Sequence, residues 1–189
     1  FPAGIYKTTT GLTMTKQMNI VMDQRAVIRG DFAPGDGKDV LRIDIDNPAG
    51  GDGRNMLIEG GSIFNNGGGN CAINVNSSGS SLPQFEIEIR NGNHAGYIRG
   101  IRFGTGVSFN TVRQCNISTG TSGSAAINLD GCADGHRIID NLIFGTGTAV
   151  TVNVVLGAFN TIISGNALVC QNGAVLVING SRVFIENNL

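Results

Sequence analysis

The chain has 189 residues, a formal charge of −1 and no basic run, so it lacks the electrostatic surface that nucleic-acid binding requires. No stretch approaches 18 consecutive apolar residues, and we therefore predict no membrane insertion. Val, Ile and Thr are common, Gly occurs 29 times and Pro only 4 times, and no long segment has a helical period. This combination predicts an all-β domain with many corners.

The first part of the chain is a series of short predicted strands. Residues 1–30 hold three of them, beginning with the segment Phe1–Tyr6. Residues 41–45 alternate apolar and polar side chains, which predicts a strand with one polar face. Residues 47–53 and 65–70 are rich in Gly, Asn and Asp, so we expect corner loops there.

A strand motif then recurs with a period in the twenties. It has one apolar residue three positions before an Asn and another two positions after it, as in Ile138, Asn141 and Ile143. Successive copies lie 54, 26, 25 and 22 residues apart, so the first interval is two periods and a hidden copy is predicted near residues 85–92. The first apolar residues of the copies are Ile58, Val112, Ile138, Ile163 and Ile185.

A second strand series runs between the copies of the first and keeps the same period. Its copies follow small-residue corners at residues 72–75, 126–129, 149–152 and 174–177, and residues 97–101 fill the remaining gap. Two interleaved series predict a solenoid of stacked coils of about 22–28 residues. We expect one domain over residues 1–189. Because neither end reads as a cap, we also expect a fragment of a longer protein or ends that close against partners.

The first coil carries a resemblance to a known family. Phe1–Tyr6 is followed by Leu12-x-Met14 and Asn19-Ile20-x-Met22, which resembles the first coil of pectate-lyase-like right-handed parallel β-helices, especially bacteriophage tailspikes and capsule depolymerases. The resemblance, which covers nearly the whole chain as a pattern, implies an all-β, single-stranded parallel β-helix with three sheets. It also implies homotrimers in the virion tail, folded in the bacterial cytoplasm, that bind or cleave capsule or lipopolysaccharide.

Charged residues form a candidate column on the outside of the first series. The residue after each inward position points outward, which gives Glu59 and Arg113. If Ile87 is the inward residue of the hidden coil, Glu88 stands between them. If the next apolar residue, Ile89, is inward instead, Arg90 enters the column and Glu88 moves one position aside.

This column suggests acid–base chemistry. Carboxyls on adjacent coils would lie about 4.7–4.9 Å apart, close to the roughly 5–5.5 Å of a retaining glycosidase pair. Glu59 and Glu88 are therefore candidates for the general acid and for the nucleophile or base, and Arg113 for orienting an acidic sugar. The alternative is a ladder of ion pairs that merely solvates the sheet.

Polar residues also face outward on the second series. Amides and hydroxyls in a shallow groove suit sugar hydroxyls, whereas the alternative is an Asn ladder that stabilises the solenoid. We predict substrate contacts from Asn74, Arg99, Asn128 and Asn153. The predicted column contains Asn74, Arg99 or Arg102, Asn128 and Thr151, with Asn76, Asp130 and Asn153 beside it.

A second carboxylate group surrounds His136. Asp130, Asp134 and Asp140 lie close to this residue in sequence, and Asp130 is the catalytic candidate among them. His136 aligns with inward or edge positions such as Met56, so we expect it to pack rather than to act as a base.

Apolar side chains reach the outside of the later coils. Such a surface is expected to be covered, and a cyclic homotrimer would cover it. The residues predicted to form this contact are Ile139, Ile162, Leu176, Ile178 and Phe184.

The four cysteines have no metal-ligand spacing, and we predict neither a metal nor a cofactor. Cys115 occupies the Asn position of the repeat, where a buried free thiol is expected, which fits folding in a reducing compartment.

Two functions from different classes remain. One is a glycoside hydrolase or polysaccharide lyase that depolymerises bacterial surface polysaccharide, and the other is a non-catalytic receptor-binding or shaft segment of a tail fibre or adhesin. A plant-polysaccharide enzyme is disfavoured because Asn-Thr-Asp, Asp-Asp and Gly-His-Gly motifs are absent.

Overall fold

The computed structural model describes residues 1–33, 35–45, 55–65, 67–76, 86–120, 125–132, 135–153, 160–180 and 182–189. These residues form 21 strands, numbered β1 to β21 along the chain. They form no helix, so the described residues contain no helical segment capable of crossing a membrane.

The strands belong in turn to three sheets of seven strands each. Sheet A contains β1 (Gly4–Thr8), β4 (Ala26–Gly30), β7 (Ser62–Asn65), β10 (Asn93–Gly96), β13 (Asn116–Thr119), β16 (Leu142–Gly145) and β19 (Ala167–Cys170). Sheet B contains β2 (Leu12–Met14), β5 (Leu41–Asp44), β8 (Cys71–Asn76), β11 (Arg99–Phe103), β14 (Ile127–Asp130), β17 (Val150–Asn153) and β20 (Val175–Asn179). Sheet C contains β3 (Ile20–Val21), β6 (Met56–Glu59), β9 (Ile87–Arg90), β12 (Thr111–Arg113), β15 (Arg137–Ile139), β18 (Thr161–Ser164) and β21 (Val183–Glu186).

Each strand pairs in parallel with the strand three places along the chain, so every turn adds one strand to each sheet. The predicted all-β parallel β-helix is therefore confirmed. The period of the sequence becomes a vertical register because residues one coil apart lie on top of each other.

The inward columns follow the predicted alignment. In sheet C, Ile58 pairs with Ile89, which pairs with Val112, and this column continues through the later copies of the motif. In sheet B, Ile101 pairs with both Ile73 and Ile127, as the second series predicts. All six of these side chains are fully buried, so the stacked columns form the hydrophobic core.

The corner between sheets C and A is a short turn of constant shape. Its first residue adopts a left-handed conformation in six successive coils, and φ lies between 53° and 77°. Gly, Asn and Asp tolerate this region better than other residues, which explains most of the choices made there. The six residues are Gly60, Asn91, Gln114, Asp140, Gly165 and Asn187.

The next corner residue builds a buried amide ladder in the C-terminal coils. The side-chain nitrogen of Asn141 donates to Oδ1 of Asn166 at 2.9 Å, and that of Asn166 donates to Oδ1 of Asn188 at 2.9 Å. Asn166 also accepts from the backbone N–H of Asn141 at 3.0 Å and donates to the Ile138 carbonyl at 2.9 Å. The Asn of the repeat therefore satisfies backbone groups that burial would otherwise leave unpaired.

The ladder changes chemistry in the preceding coils. Cys115 continues it, because its backbone N–H donates to Oδ1 of Asn141 at 3.0 Å and its thiol lies 3.3 Å from the Arg113 carbonyl. Gly92 follows in the coil before, and a Cβ there would lie 2.5 Å from Nε2 of His94. The imidazole of His94 thus fills the corner space that an Asn side chain occupies elsewhere.

Candidate functional site

The charged column on sheet C has the second of the two registers that the sequence allowed. Ile58 pairs with Ile89, so Glu59 pairs with Arg90, and Arg90 pairs with Arg113. Both Ile87 and Ile89 point inward, as residues two apart on a strand do. The stacked pair of Glu59 and Glu88 required by the first register is therefore wrong.

The glutamates of this face are paired with arginines. Arg90 donates to both carboxylate oxygens of Glu59 at 3.0 Å, and Arg113 contacts Oε1 of Glu88, which also lies 3.6 Å from Nη1 of Arg90. The hydrogen bonds from Arg90 hold the pKa of Glu59 below its ordinary value. A general acid needs the opposite shift, so Glu59 stays an ionised partner of Arg90 at neutral pH.

An open cleft of about 370 Å³ lies at the edge of the same sheet, where the chain enters from sheet B. Continuing the strand register outward places Asn55, Glu86 and Phe109 on one vertical line at this corner. Glu88 and Thr111 stack on the neighbouring line. The cleft is lined by Asn19, Asn55, Met56, Leu57, Glu86, Ile87, Glu88, Phe109 and Thr111.

Phe109 is the most unusual residue of the cleft. Its backbone has φ 57°, a left-handed conformation that costs a bulky residue roughly 1–2 kcal/mol, and its side chain is 44% exposed. A Cβ on Gly135, one coil further on, would lie 2.3 Å from the ring, so the ring leans into the space that this glycine leaves. The ring also lines the cleft, together with Glu86.

Comparison with the same corner position in other coils shows that Phe is an unfavourable residue type at position 109. Other left-handed residues at the equivalent position are Asn55, Gly135, Asn160 and Arg182. Three of these four are residue types that favour this conformation, whereas Phe gains neither a local hydrogen bond nor steric freedom from it. Strained residues of this kind cluster at functional sites.

Glu86 differs from its neighbour Glu88. It is partly exposed and takes part in no ion pair among the described residues. The two glutamates lie two positions apart on one outward face, a separation of about 6.6 Å along the strand. The cleft therefore combines an unpaired carboxylate, an arginine-bound carboxylate and an exposed aromatic ring.

The polar column of sheet B contains Arg102 rather than Arg99. Arg102 pairs with both Asn74 and Asn128 in the register. Its guanidinium donates to Oδ2 of Asp130 at 2.8 and 3.1 Å and to Oδ1 of Asn76 at 3.1 Å. The carboxylate of Asp130 is thus already bound by an arginine.

The predicted substrate contacts on sheet B are also engaged within the protein. Asn74 is buried, and its Nδ2 donates to Oδ2 of Asp39 at 2.6 Å. Arg99 lies outside the column and donates to Oδ1 of Asn70 at 2.9 Å. This arrangement matches the alternative of a ladder that stabilises the solenoid.

The remaining residues of the predicted sites are dispersed. Asn128 is partly exposed on sheet B, and the backbone of Asn153 pairs with Asp130, although the Asn153 side chain and Asp134 lie outside the described structure. His136 is buried and stacks on the Phe103 ring with centroids 6.0 Å apart, as expected for a packed residue.

Side chains of the last coil are exposed on both faces of the strands, since even the inward Val177 and Ile185 are 42% and 49% exposed. Leu176, Ile178 and Phe184 are 49%, 56% and 51% exposed, whereas Ile139 and Ile162 are only partly exposed. The predicted contact residues therefore occupy sheets B and C, with Ile139, Ile162 and Phe184 on sheet C.

Two cleft residues, Glu86 and Phe109, were not among the sequence-based candidates. Phe109 could have been found by alignment, because Gly135 stands at the same position one coil later and Asn160 two coils later. Gly and Asn indicate a left-handed corner, where an aromatic residue is unusual.

The described residues hold no group of three or more His, Cys, Asp or Glu side chains arranged to bind a metal ion. The cysteines are free, and Cys71, Cys115 and Cys132 are buried. Comparison of the chain with protein-family models, with curated proteins and with solved structures finds no match.

Proposed function

We propose that this chain is a polysaccharide-binding β-helix module of the tailspike kind, and that it holds bacterial surface glycan in the cleft beside Phe109. The observation that carries the proposal is Phe109 itself, a half-exposed aromatic residue held in a strained conformation next to Glu86 and Glu88. On this proposal the protein acts in the virion tail, facing the host surface.

The chemistry of the cleft suits a sugar ring. The C–H face of a pyranose packs on an aromatic ring, and its hydroxyls donate to carboxylate and amide oxygens. Glu86 and Glu88 supply acceptors on one side of the ring, and Asn55 adds an amide. Because the two carboxylates would repel an acidic sugar, the cleft favours a neutral or an amino sugar.

Binding without cleavage is the primary proposal, because Glu59 and Asp130, two of the three predicted catalytic residues, are each held by an arginine inside the protein. Glu88 is also paired, with Arg113. A carboxylate bound by an arginine is a poor general acid, because the neighbouring positive charge favours its charged form.

Hydrolysis is a second candidate, favoured by the spacing of Glu86 and Glu88. Their backbone positions are about 6.6 Å apart along the strand, a spacing that is compatible with the roughly 6.5–9.5 Å between the carboxyl groups of inverting glycosidases. Glu86, which has no ion pair among the described residues, would act as the acid, and Glu88, which contacts Arg113, would act as the base.

The decisive experiment uses affinity electrophoresis of the full chain in gels that contain purified capsule or lipopolysaccharide. Phe109→Asn should abolish retardation while the free energy of unfolding stays within about 1 kcal/mol of the original or rises, since Asn tolerates the corner conformation. Ile5→Asn, which removes an exposed apolar side chain from sheet A, is the matched control and should bind normally. Unchanged retardation of Phe109→Asn would refute the cleft as the binding site.

Reducing-end release from the same polysaccharides separates the two candidates. Binding by the original chain without product supports the non-catalytic module. Product that disappears in both Glu86→Gln and Glu88→Gln, with binding retained, supports the hydrolase.

The proposal includes self-association as a homotrimer through Ile139, Ile162, Leu176, Ile178 and Phe184. The outward register positions of Leu176 and Phe184 support it, because covering outward apolar side chains is favourable. Sedimentation equilibrium should give a trimer that Leu176→Lys weakens, whereas a stable monomer at micromolar concentration contradicts the proposal.

A further inference from the structure

A second hollow, of about 350 Å³, lies on the outer face of sheet A, around the corner from the cleft. Phe64, Ala95, Ser118 and Phe144 stack in one outward column there. Three coil spacings separate the two phenylalanines, which is about 14 Å. The small side chains of Ala95 and Ser118 therefore form a floor between two aromatic walls.

An amide pair runs along one side of this floor. Asn93 and Asn116 occupy the neighbouring outward column, and Nδ2 of Asn116 donates to Oδ1 of Asn93 at 2.8 Å. This bond leaves Nδ2 of Asn93 and Oδ1 of Asn116, one donor and one acceptor, for a ligand. Leu142 continues the column and closes that side with an apolar group.

The lining carries no charge, which distinguishes it from the cleft on sheet C. It consists of Ser62, Phe64, Asn93, His94, Ala95, Asn116, Ile117, Ser118, Leu142 and Phe144. His94 and Ile117 are buried below the floor. A ligand for this hollow must be neutral, must offer an apolar group to the walls and must exchange one donor and one acceptor with the amide pair.

We infer that the hollow binds the acetamido group of an N-acetylated amino sugar. The acetamido methyl would pack between Ala95 and Phe144, and its N–H and C=O would pair with Asn116 and Asn93. A plain hexose has no methyl for the walls, and a free amino sugar brings a charge that nothing in the lining neutralises. This inference keeps the proposed glycan as ligand but does not depend on the Phe109 cleft.

Phe144 has a second exposed side. It also borders an adjoining hollow of about 270 Å³, together with Thr119, Thr146, Val169, Cys170 and Gln171. Its ring is 43% exposed as a result. The next sugar of a chain could therefore continue along the same sheet past the ring.

The test is saturation-transfer-difference NMR on the full chain with methyl glycosides of N-acetylglucosamine and N-acetylgalactosamine. Methyl glycosides of glucose, galactose and glucosamine are the matched ligands without the acetyl group. We expect strong saturation of the acetamido methyl and at least fivefold weaker signals from the three others. Equal saturation of acetylated and plain sugars, or none of either, would overturn the inference.

Variants test whether the acetamido signal arises from the hollow on sheet A. Phe144→Ala and Ala95→Leu, both on the outer face, should remove the acetamido signal, while Ile5→Ala on the same sheet and Phe109→Asn should keep it. A signal that survives Phe144→Ala and Ala95→Leu would refute this location. Absence of an acetamido signal from the original chain refutes the hollow alone, whereas unchanged polysaccharide retardation of Phe109→Asn refutes the cleft alone, so the two proposals fail separately.

Discussion

His94 should make the stability of this protein depend on pH. Its side chain lies in the inward column of sheet A between Ile63 and Ile117, is 1% exposed, and has no hydrogen-bond partner at either ring nitrogen. Burial in this apolar stack lowers the pKa of His94 from 6.5 to about 4. The folded protein therefore holds the imidazole neutral throughout the range in which the unfolded chain takes up a proton.

The sign follows from proton uptake. Above pH 6.5, His94 is neutral in both the folded and the unfolded state. Between pH 6.5 and about 4, only the unfolded state is protonated, so the free energy of unfolding decreases as the pH is lowered through this window. One pKa unit corresponds to about 1.4 kcal/mol, which makes the loss at pH 4 about 3 kcal/mol. His94→Leu should remove this dependence and leave the variant at least as stable at pH 7, because two unsatisfied buried nitrogens disappear.

The assay is urea unfolding followed by far-UV circular dichroism at pH 7, 6, 5 and 4, for the original chain and His94→Leu. Arg90 and Arg25 lower the pKa values of Glu59 and Asp23, so protonation of these two carboxylates also destabilises the protein in acid. This contribution is the same in both proteins and cancels in the difference between them. Parallel pH profiles for the two proteins would refute the reasoning.

Two further predictions concern the interior. Asn166→Ala removes the central member of the amide ladder and leaves buried backbone groups unpaired, so the unfolding free energy should fall by about 3 kcal/mol. The control Asn116→Ala, at an exposed amide, should cost less than about 1 kcal/mol. Equal losses of the two variants in urea unfolding would contradict the role of the ladder. Burial raises the pKa of the Cys71, Cys115 and Cys132 thiols, so only Cys170 should react quickly with a disulfide reagent at pH 8. In denaturant, all four thiols should react.

The stacking of the coils was predictable because apolar residues at a fixed period leave few alternatives. Val112 pairs with Ile138 as the period predicts, and Ile58 and Val112 both pair with Ile89 of the hidden coil, which lies where the double interval placed it. The strand register of this hidden coil was not predictable, because Ile87 and Ile89 are both apolar and both point inward, so the alternation of inward and outward residues fits either alignment.

The candidate sites were less predictable because the sequence does not state which polar groups satisfy each other. The outward positions of Glu59 and Asp130 follow from alternation, but the arginines that bind them were visible only in three dimensions. His94 was missed because a polar residue in an apolar column breaks the pattern. Phe109 was missed because the corner before each sheet C strand was treated as loop rather than as part of the repeat.

Five residues at the corner before the sheet C strands share a left-handed backbone with φ between 57° and 79°: Asn55, Phe109, Gly135, Asn160 and Arg182. Exchanging the side chain at one of these positions therefore changes the outer surface of that corner without requiring a strand to move. On the proposed function, replacing Asn160 by an aromatic residue and Phe109 by Asn would move the aromatic sugar contact along the axis by two coils, about 10 Å, while the interior stays unchanged.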